Sequence, residues 1–547
     1  MRTWCLILLS AGLAFAQSTK SPTKSPSKDM CVPPPSGTPP ALPAHLMEGQ
    51  GKINFPITTS NPLAQQFFNQ GVAQLHSFWV VEAERSFRQA AQLDPEAPMP
   101  YWGIAMVAAG DYRPRFQLDT ANKIFGKSNP YNAQARAIEA AKKATELAAV
   151  PGKATPVEKL YVASISARRD LAQKDPDEGY VQGLRAIVAQ YPNEVEARLF
   201  LALHLMRGFE TPDKTPRGTS MEAAALLRDL LQRAPEHPGT HHYVIHGFEG
   251  STFAKDAWPS CKRYAELVTN IPHAIHMPGH IYSQTGRWDD AVKSFADAAA
   301  NERSYMQADS LYGTGHHGHN VHYLATAYSF EGKYAEAQQA ATELLGFKEN
   351  PREAANTDGF YSAYRQGWFA MLRTLVQSEN WDVILDGKTL PDYAKPREQA
   401  WRHWAMALAY LGKKDMENAK AQSALMEASL RDYKEKVKMP TPEPLRVAQL
   451  ELAGQMRVAS GKVKDGMKKL QQAAREELHL VYSEPPYYPR PVLEVVGQTA
   501  LKNGRPAVAE SAFRRALEQY PASYRAQTGL RGAMEKQNKP VEAAAAF

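Results

Sequence analysis

The sequence predicts an all-α chain, an α-solenoid of packed helix hairpins wound into a superhelix with a concave groove. Three observations predict it. Ala and Leu recur at spacings of three and four from about residue 60 onward, while strand-like alternation is scarce. A set of small and aromatic residues returns with a period of 34. Proline stands where the second helix of a hairpin should stop. Composition agrees: 44% of the 547 residues are hydrophobic and 22% charged, which excludes wholesale disorder.

The first elements stand outside the solenoid. Arg2 precedes an uncharged run, Cys5 to Phe15, ending in Ala14-Phe15-Ala16 before Gln17. An apolar run of about 12 residues is too short to span a bilayer. Its small-x-small ending reads as a signal peptide, residues 1–16, cut near Ala16. Cys5 lies inside the apolar core, away from the cleavage edge, which argues against a lipid anchor. No later segment approaches the roughly 18 apolar residues of a transmembrane helix. The mature chain is therefore expected to be soluble and exported, periplasmic or extracellular. Residues 17–54 are expected to be a Lys/Ser/Pro-rich tail, because stretches such as 20–28 and 32–43 cannot bury a core. Cys31 and Cys261 are the mature cysteines; an oxidising compartment permits them to pair. A net charge of +7 is about one excess charge per 80 residues, and no Lys/Arg run forms a stripe, so nucleic acid is not an expected partner.

The repeats follow. Gly71, Ala83, Phe87, Ala90 and Pro95 stand at offsets of 12, 4, 3 and 5. Gly279, Ala291, Phe295 and Ala298 repeat them, and so do Gly497, Ala509, Phe513, Ala516 and Pro521. Small residues suit close helix crossings, the aromatic fills the gap between hairpins, and proline ends the second helix. This pattern resembles the tetratricopeptide repeat. Weaker copies include Tyr328, Gly332, Tyr334 and Ala337, then Tyr410 and Ala419, then Gly461, Leu470 and Ala473. About eleven hairpins are expected, some irregular, with the histidine-rich array over 55–350 and a second array over 351–547. Residues 209–219 read as a loop inserted within one repeat.

Sixteen histidines are present, and ten fall within residues 241–322, a density that composition does not explain. The tetratricopeptide resemblance implies that positions 2, 5, 6 and 9 of each repeat face the concave groove. His273, His276 and His280 take positions 2, 5 and 9; His242, His246 and Glu249 take 2, 6 and 9; His319 and His322 take 2 and 5. His242/His246 and His276/His280 are i, i+4 pairs, with Cβ atoms about 5–6 Å apart on a helix, and each pair can offer two nitrogens to one ion. These eight residues are the candidate metal ligands. Imidazole-rich ligation suits zinc, copper, nickel or iron. Two other readings stand beside the metal: hydrogen-bonded struts between stacked helices, and a pH-sensitive lining for a carboxylate or other anion. Met277-Pro278-Gly279 breaks the helical rule beside the cluster, since interior proline costs about 3 kcal/mol, so the helix either starts at Pro278 or kinks there.

The segments His242–His246, Pro272–Tyr282 and His319–Leu324 are similar to those of a group of exported bacterial tetratricopeptide-repeat proteins. So are Arg85-Ser86-Phe87, Leu93-Asp94-Pro95 and Tyr101-Trp102-Gly103. The resemblance covers roughly residues 55–350 and implies fold and compartment rather than chemistry. Elsewhere there is no Walker A loop, no Gly-x-Ser-x-Gly elbow and no HExxH. Gly313–Gly318 reads as a mobile loop carrying His316 and His317 to the rim, where Tyr282 and Tyr323 join them as partner-facing residues. The expected function is an exported scaffold binding a protein or peptide in its groove, with the histidine cluster as its specific feature. The alternative is a metal-dependent hydrolase or oxidoreductase with Glu249 as ligand or general base. Carboxylates near the cluster are few (Glu249, Asp289, Asp290), which favours binding over catalysis.

Overall fold

The computed structural model describes residues 43–117, 134–309, 312–313, 315–349 and 362–540. Among them are 24 α-helices and, in place of strands, one isolated bridge between Phe209 and Pro216. The chain is an α-solenoid of tetratricopeptide type. Its hairpins run in order: α1 (Pro62–His76) with α2 (Val80–Leu93), α3 (Pro98–Val107) with α4 (Gln134–Ala148), α5 (Pro156–Arg169) with α6 (Pro176–Gln190), and α7 (Val195–Leu205) with α8 (Ser220–Arg233). Next come α9 (Pro238–Phe248) with α10 (Trp258–Leu267), then the broken pair α11 (Pro272–His276) and α12 (Pro278–Gln284) with α13 (Trp288–Ala308), then α14 (Gly315–Glu331) with α15 (Tyr334–Leu345). The second half holds α16 (Ala363–Gln377) with the one-turn α17 (Trp381–Ile384), α18 (Pro396–Gly412) with α19 (Met416–Val437), α20 (Glu443–Ala459) with α21 (Val463–Leu478), α22 (Val492–Lys502) with α23 (Pro506–Gln519), and last among the described residues α24 (Tyr524–Glu535), packed on α23.

The period-34 residues do what their sizes suggest. A Cβ added at Gly71 would stand 2.7 Å from the ring of Phe87, and one at Gly103 in the next hairpin would overlap the same ring. Phe87 thus wedges between two helices that only glycine lets approach. Phe295 meets Gly279 and Phe513 meets Gly497 and Gly529 in the same way. All three rings are fully buried.

Two departures from the sequence expectation shape the site. Residues 43–58, expected to lie mostly within the tail, dock instead. Met47 N donates to Gln70 Oε1 at 2.7 Å, Gln50 Nε2 to the Asn270 carbonyl at 2.7 Å, and Ile53 and Phe55 enter the core. Two apolar side chains and these paired amides make the segment part of the first hairpin's cover. The signal peptide, the rest of the tail, Cys31 and the expected array boundary at 350/351 lie outside the described residues. Cys261 is buried.

The second departure is closure. The C-terminal hairpins fold back onto the middle of the chain: Trp288 Nε1 donates to the Pro521 carbonyl at 2.8 Å, and Phe330 stacks on Tyr520 with centroids 5.1 Å apart. The connection between α21 and α22 crosses the histidine region. It is tied down by Thr211 Oγ1 to the Leu480 carbonyl at 3.0 Å, by Arg373 to the Tyr488 and Pro489 carbonyls at 3.0 and 3.2 Å, and by Gln377 to Pro489 at 2.9 Å.

Candidate metal centre

The candidate histidines come from four helices: His242 and His246 from α9, His273 and His276 from α11, His280 from α12, and His316, His317, His319 and His322 from α14. Between α11 and α12, Met277 keeps helical angles (φ −58°, ψ −37°). Pro278 has no N–H to continue the ladder, and the amide of His280 bonds to Met277 at 3.1 Å in a tighter turn. The result is a kink within one rod, which keeps His276 and His280 on a common side.

These side chains are buried, not displayed on an open groove. His242, His276, His280, His317 and His319 are fully inaccessible. The 480–491 connection explains this, because it packs over the place where the concave face would open.

The structure sorts the candidate histidines into two triads, and within each triad one ligand atom per residue lies within 4.8 Å of the others; Glu249 forms a further such group with His280 and Glu484, sharing His280 with one triad. In the first, the Nε2 atom of His276 is 2.6 Å from that of His280 and 3.2 Å from that of His319. The opposite nitrogens of His276 and His280 are already committed, whereas His319 Nδ1 is buried without a hydrogen bond. His276 Nδ1 donates to Asn320 Oδ1 at 2.8 Å, and Asn320 Nδ2 donates in turn to the Phe295 carbonyl at 3.0 Å, which fixes the amide orientation. His280 Nδ1 faces Glu249 Oε1 at 3.2 Å and also contacts Glu484 Oε2. With Nδ1 as donor on both rings, two Nε2 lone pairs point at each other. Such an arrangement calls for a cation between them, a metal ion or a shared proton. Two nitrogens bound to one tetrahedral metal at ~2.0–2.1 Å stand roughly 3.3 Å apart, close to the His276–His319 spacing and wider than the 2.6 Å between His276 and His280, which would have to part to ligate one ion.

The second triad is His242, His246 and His273. His242 Nδ1 donates to the His76 carbonyl, and His246 Nδ1 lies 3.3 Å from Glu249 Oε2. His273 Nδ1 meets His316 Nε2 at 3.2 Å, and His316 Nδ1 donates to Glu302 Oε1 at 2.7 Å.

Other expected site residues take different roles. His322 joins neither triad; its Nδ1 bonds Gln366 Oε1 at 2.7 Å, because three residues along α14 from His319 it faces α16. His316 and His317 are not on a rim loop. They form the first turn of α14, buried against Glu302. Tyr323 is buried and stacks on Phe295 at 4.4 Å, while Tyr282 is partly buried under the Arg287 guanidinium. Sequence reasoning missed Glu484, Tyr482, Asn320 and Glu302. Glu484 lies 204 positions from His280, and only closure of the chain joins them. Asn320, next to His319 and one helical turn before Leu324, was within reach of the same register argument. A further histidine–carboxylate group, His76, Glu196 and His237, is internally satisfied: Glu196 accepts from His76 at 2.6 Å and from His237 at 3.0 Å.

Burial, and then repulsion among the imidazoles, holds His242, His273, His276 and His319 well below the ordinary histidine range. They are neutral at physiological pH, the form that binds metals. Burial and the adjacent Glu249 carboxylate push Glu484 up to about 8. Burial would raise Glu249 too, but its contacts with Glu484, His246 and His280 hold it well below its usual value. The carboxyl pair therefore shares one proton and carries one negative charge. Beside the pair opens a cavity of about 420 Å³ lined by Glu249, Ser283, Gln284, Tyr323, Tyr482 and Glu484 among others. Tyr482 contacts both carboxylates and accepts from Gln284 Nε2 at 3.0 Å.

Fold and site together define an α-solenoid of tetratricopeptide type with a buried histidine–carboxylate cluster. No protein-family model matches the chain, and no curated protein matches it. Among solved structures it is similar to the Cut9–Hcn1 hetero-tetramer of the APC/C, with 12% identity, a TM-score of 0.27, and 88% of this chain and 78% of that chain covered. It is also similar to the human IFIT1 dimer with m7Gppp-AAAA (11% identity, TM-score 0.33, 90% of each chain) and to yeast Tom70 (12%, 0.25, 87% of this chain and 89% of that one). Among the described residues, no helix is long and apolar enough to cross a membrane.

Proposed function

We propose that this protein is a helical-repeat scaffold that binds a transition-metal ion (zinc, copper, nickel or iron) through His276, His280 and His319. The observation that carries the proposal is the convergence of three buried Nε2 atoms, with the Nδ1 atoms of His276 and His280 already held by Asn320 and by the Glu249/Glu484 pair. Partners that orient a ligand imidazole from behind are characteristic of metal sites. The ion would polarise or ligate whatever enters the adjoining cavity, with the carboxyl pair as neighbouring acid and base. Cavity volume supports a small ligand or one inserted peptide segment rather than a folded protein surface against the histidines. Export with cleavage near Ala16 belongs to the same proposal, and N-terminal sequencing of the secreted chain tests it.

Elemental analysis of purified protein tests the metal. Retention of a transition metal near or above one ion per chain, with one ion lost in a His276→Ala/His319→Ala double variant, is expected. Metal-free wild-type protein that also takes up no added zinc, copper, nickel or iron overturns the reading and leaves a proton shared by His276 and His280.

A further inference from the structure

We propose that His242, His246 and His273 hold a second transition-metal ion, so that the cluster is a two-ion centre organised by Glu249. The inference rests on the single-ion reading above and extends it to a site with its own ligands.

The tautomers of the second triad follow from their neighbours. The backbone carbonyl of His76 can only accept, so His242 Nδ1 carries a proton and its Nε2 carries a lone pair. Glu302 is held low, to about 2: burial raises it, and His316 and His317 more than offset that. Its carboxylate therefore accepts from His316 Nδ1, which leaves His316 Nε2 as acceptor for the N–H of His273 Nδ1. His273 Nε2 is left with a lone pair. His246 Nδ1 faces Glu249 Oε2 at 3.3 Å, too poorly aligned for a good hydrogen bond, and the carboxylate favours a proton on that nitrogen.

Three lone pairs result, on the Nε2 atoms of His242, His246 and His273, and none has a hydrogen-bond partner. The three residues are exposed by 0%, 1% and 4%. Buried nitrogens left without a partner are costly, so three within one triad are poorly explained as helix struts, which would be paired. Phe78 closes the site from the apolar side, with its centroid 4.5, 5.2 and 5.6 Å from the rings of His242, His246 and His273. Neutral imidazoles in a dry pocket suit a borderline cation such as zinc, copper or nickel.

Glu249 links the two sites. Its Oε1 faces His280 of the first triad and its Oε2 faces His246 of the second. Helix α11 links them again, because His273 and His276 belong to different triads with ring centroids 6.1 Å apart. One carboxylate thus supports a ligand of each ion and lies between them as the shared counter-charge.

Metal-free protein titrated with Zn²⁺, followed by equilibrium dialysis and elemental analysis, tests the inference. Two equivalents per chain are expected in the wild type. One is expected in His242→Gln and in His273→Gln, and one in the His276→Gln/His319→Gln variant. A wild type that binds one equivalent, lost with His276/His319 and retained with His242 or His273 replaced, overturns the second ion and leaves the first reading standing. A single equivalent with the opposite dependence overturns both as stated, and so does no uptake. Circular dichroism of each metal-free variant checks folding; if a variant does not fold, wild-type stoichiometry alone decides, since one equivalent or fewer overturns the two-ion centre.

Discussion

The Nε2 atoms of His276 and His280 lie 2.6 Å apart while each ring points its Nδ1 at a fixed acceptor. Two imidazoles arranged this way repel unless a cation separates them. The chain has brought them together by a helix that kinks at Pro278 and continues.

Metal addition should therefore stabilise the fold. An ion that binds only the folded state contributes about 2.7 kcal/mol when present at a hundredfold over its Kd. Thermal unfolding of chelator-treated protein should shift upward by several degrees on adding zinc or copper, and the shift should disappear in the His276→Ala/His319→Ala variant. Differential scanning calorimetry measures it.

Asn320→Leu should weaken metal binding tenfold to a hundredfold, the usual effect of removing a partner behind a ligand histidine. It should also destabilise the metal-free fold by about 1–3 kcal/mol, because the Phe295 carbonyl and His276 Nδ1 lose their partner. Chelator competition reads the first effect and denaturant titration the second.

Gly279→Ala and Gly497→Ala place a methyl group 2.5 and 2.6 Å from the rings of Phe295 and Phe513. Both should cost about 1–3 kcal/mol by overpacking. Only Gly279→Ala should also lower metal affinity, since it lies next to His280. Comparing the two variants by calorimetry and metal titration separates repeat packing from the site.

Acid should unfold the protein partly through His322. Burial, then the nearby Arg373 cation, brings this imidazole down to about 3, despite its bond to Gln366. Its folded value lies below its unfolded value near 6.5, so the unfolded chain binds the proton first. The stability this residue lends is present above pH 6.5 and is lost as pH falls from there toward 3. In His322→Gln, stability measured by urea titration should fall less steeply between pH 6.5 and 4 than in the wild type.

Arg373→Met should loosen the connection that covers the cluster. Burial lowers this guanidinium to about 10, yet it still bonds the carbonyls of Tyr488 and Pro489 and contacts that of Pro486. Without it, limited proteolysis should cut within 480–490 well before the helices, and metal should exchange faster. A cleavage pattern identical to the wild type would exclude this role for the arginine.

Much of the fold is legible in the sequence because it is local. Gly71 and Phe87, or Gly497 and Phe513, are close in the chain and meet across a single helix hairpin, so a 34-residue self-comparison finds them. The same periodicity finds His242, His246, His276 and His280. It fails for His322, which the register set beside His319 but which turns toward Gln366, and for the Gly313–Gly318 stretch, whose histidines are drawn into α14 by Glu302. Glycine-rich sequence reads as loop until a buried carboxylate 14 residues earlier supplies the partner.

By itself, the sequence determined that this is a helical-hairpin solenoid and which helices carry the imidazoles, since both follow from residue spacing along single helices. Tertiary structure alone decided that the histidines are buried, that they divide into two triads, and that Glu249, Glu484, Asn320 and Glu302 stand behind them. Those facts depend on how far the superhelix curls before the 480–491 connection meets α12. That curl is the sum of many small packing rotations between hairpins, and no single stretch of sequence encodes it.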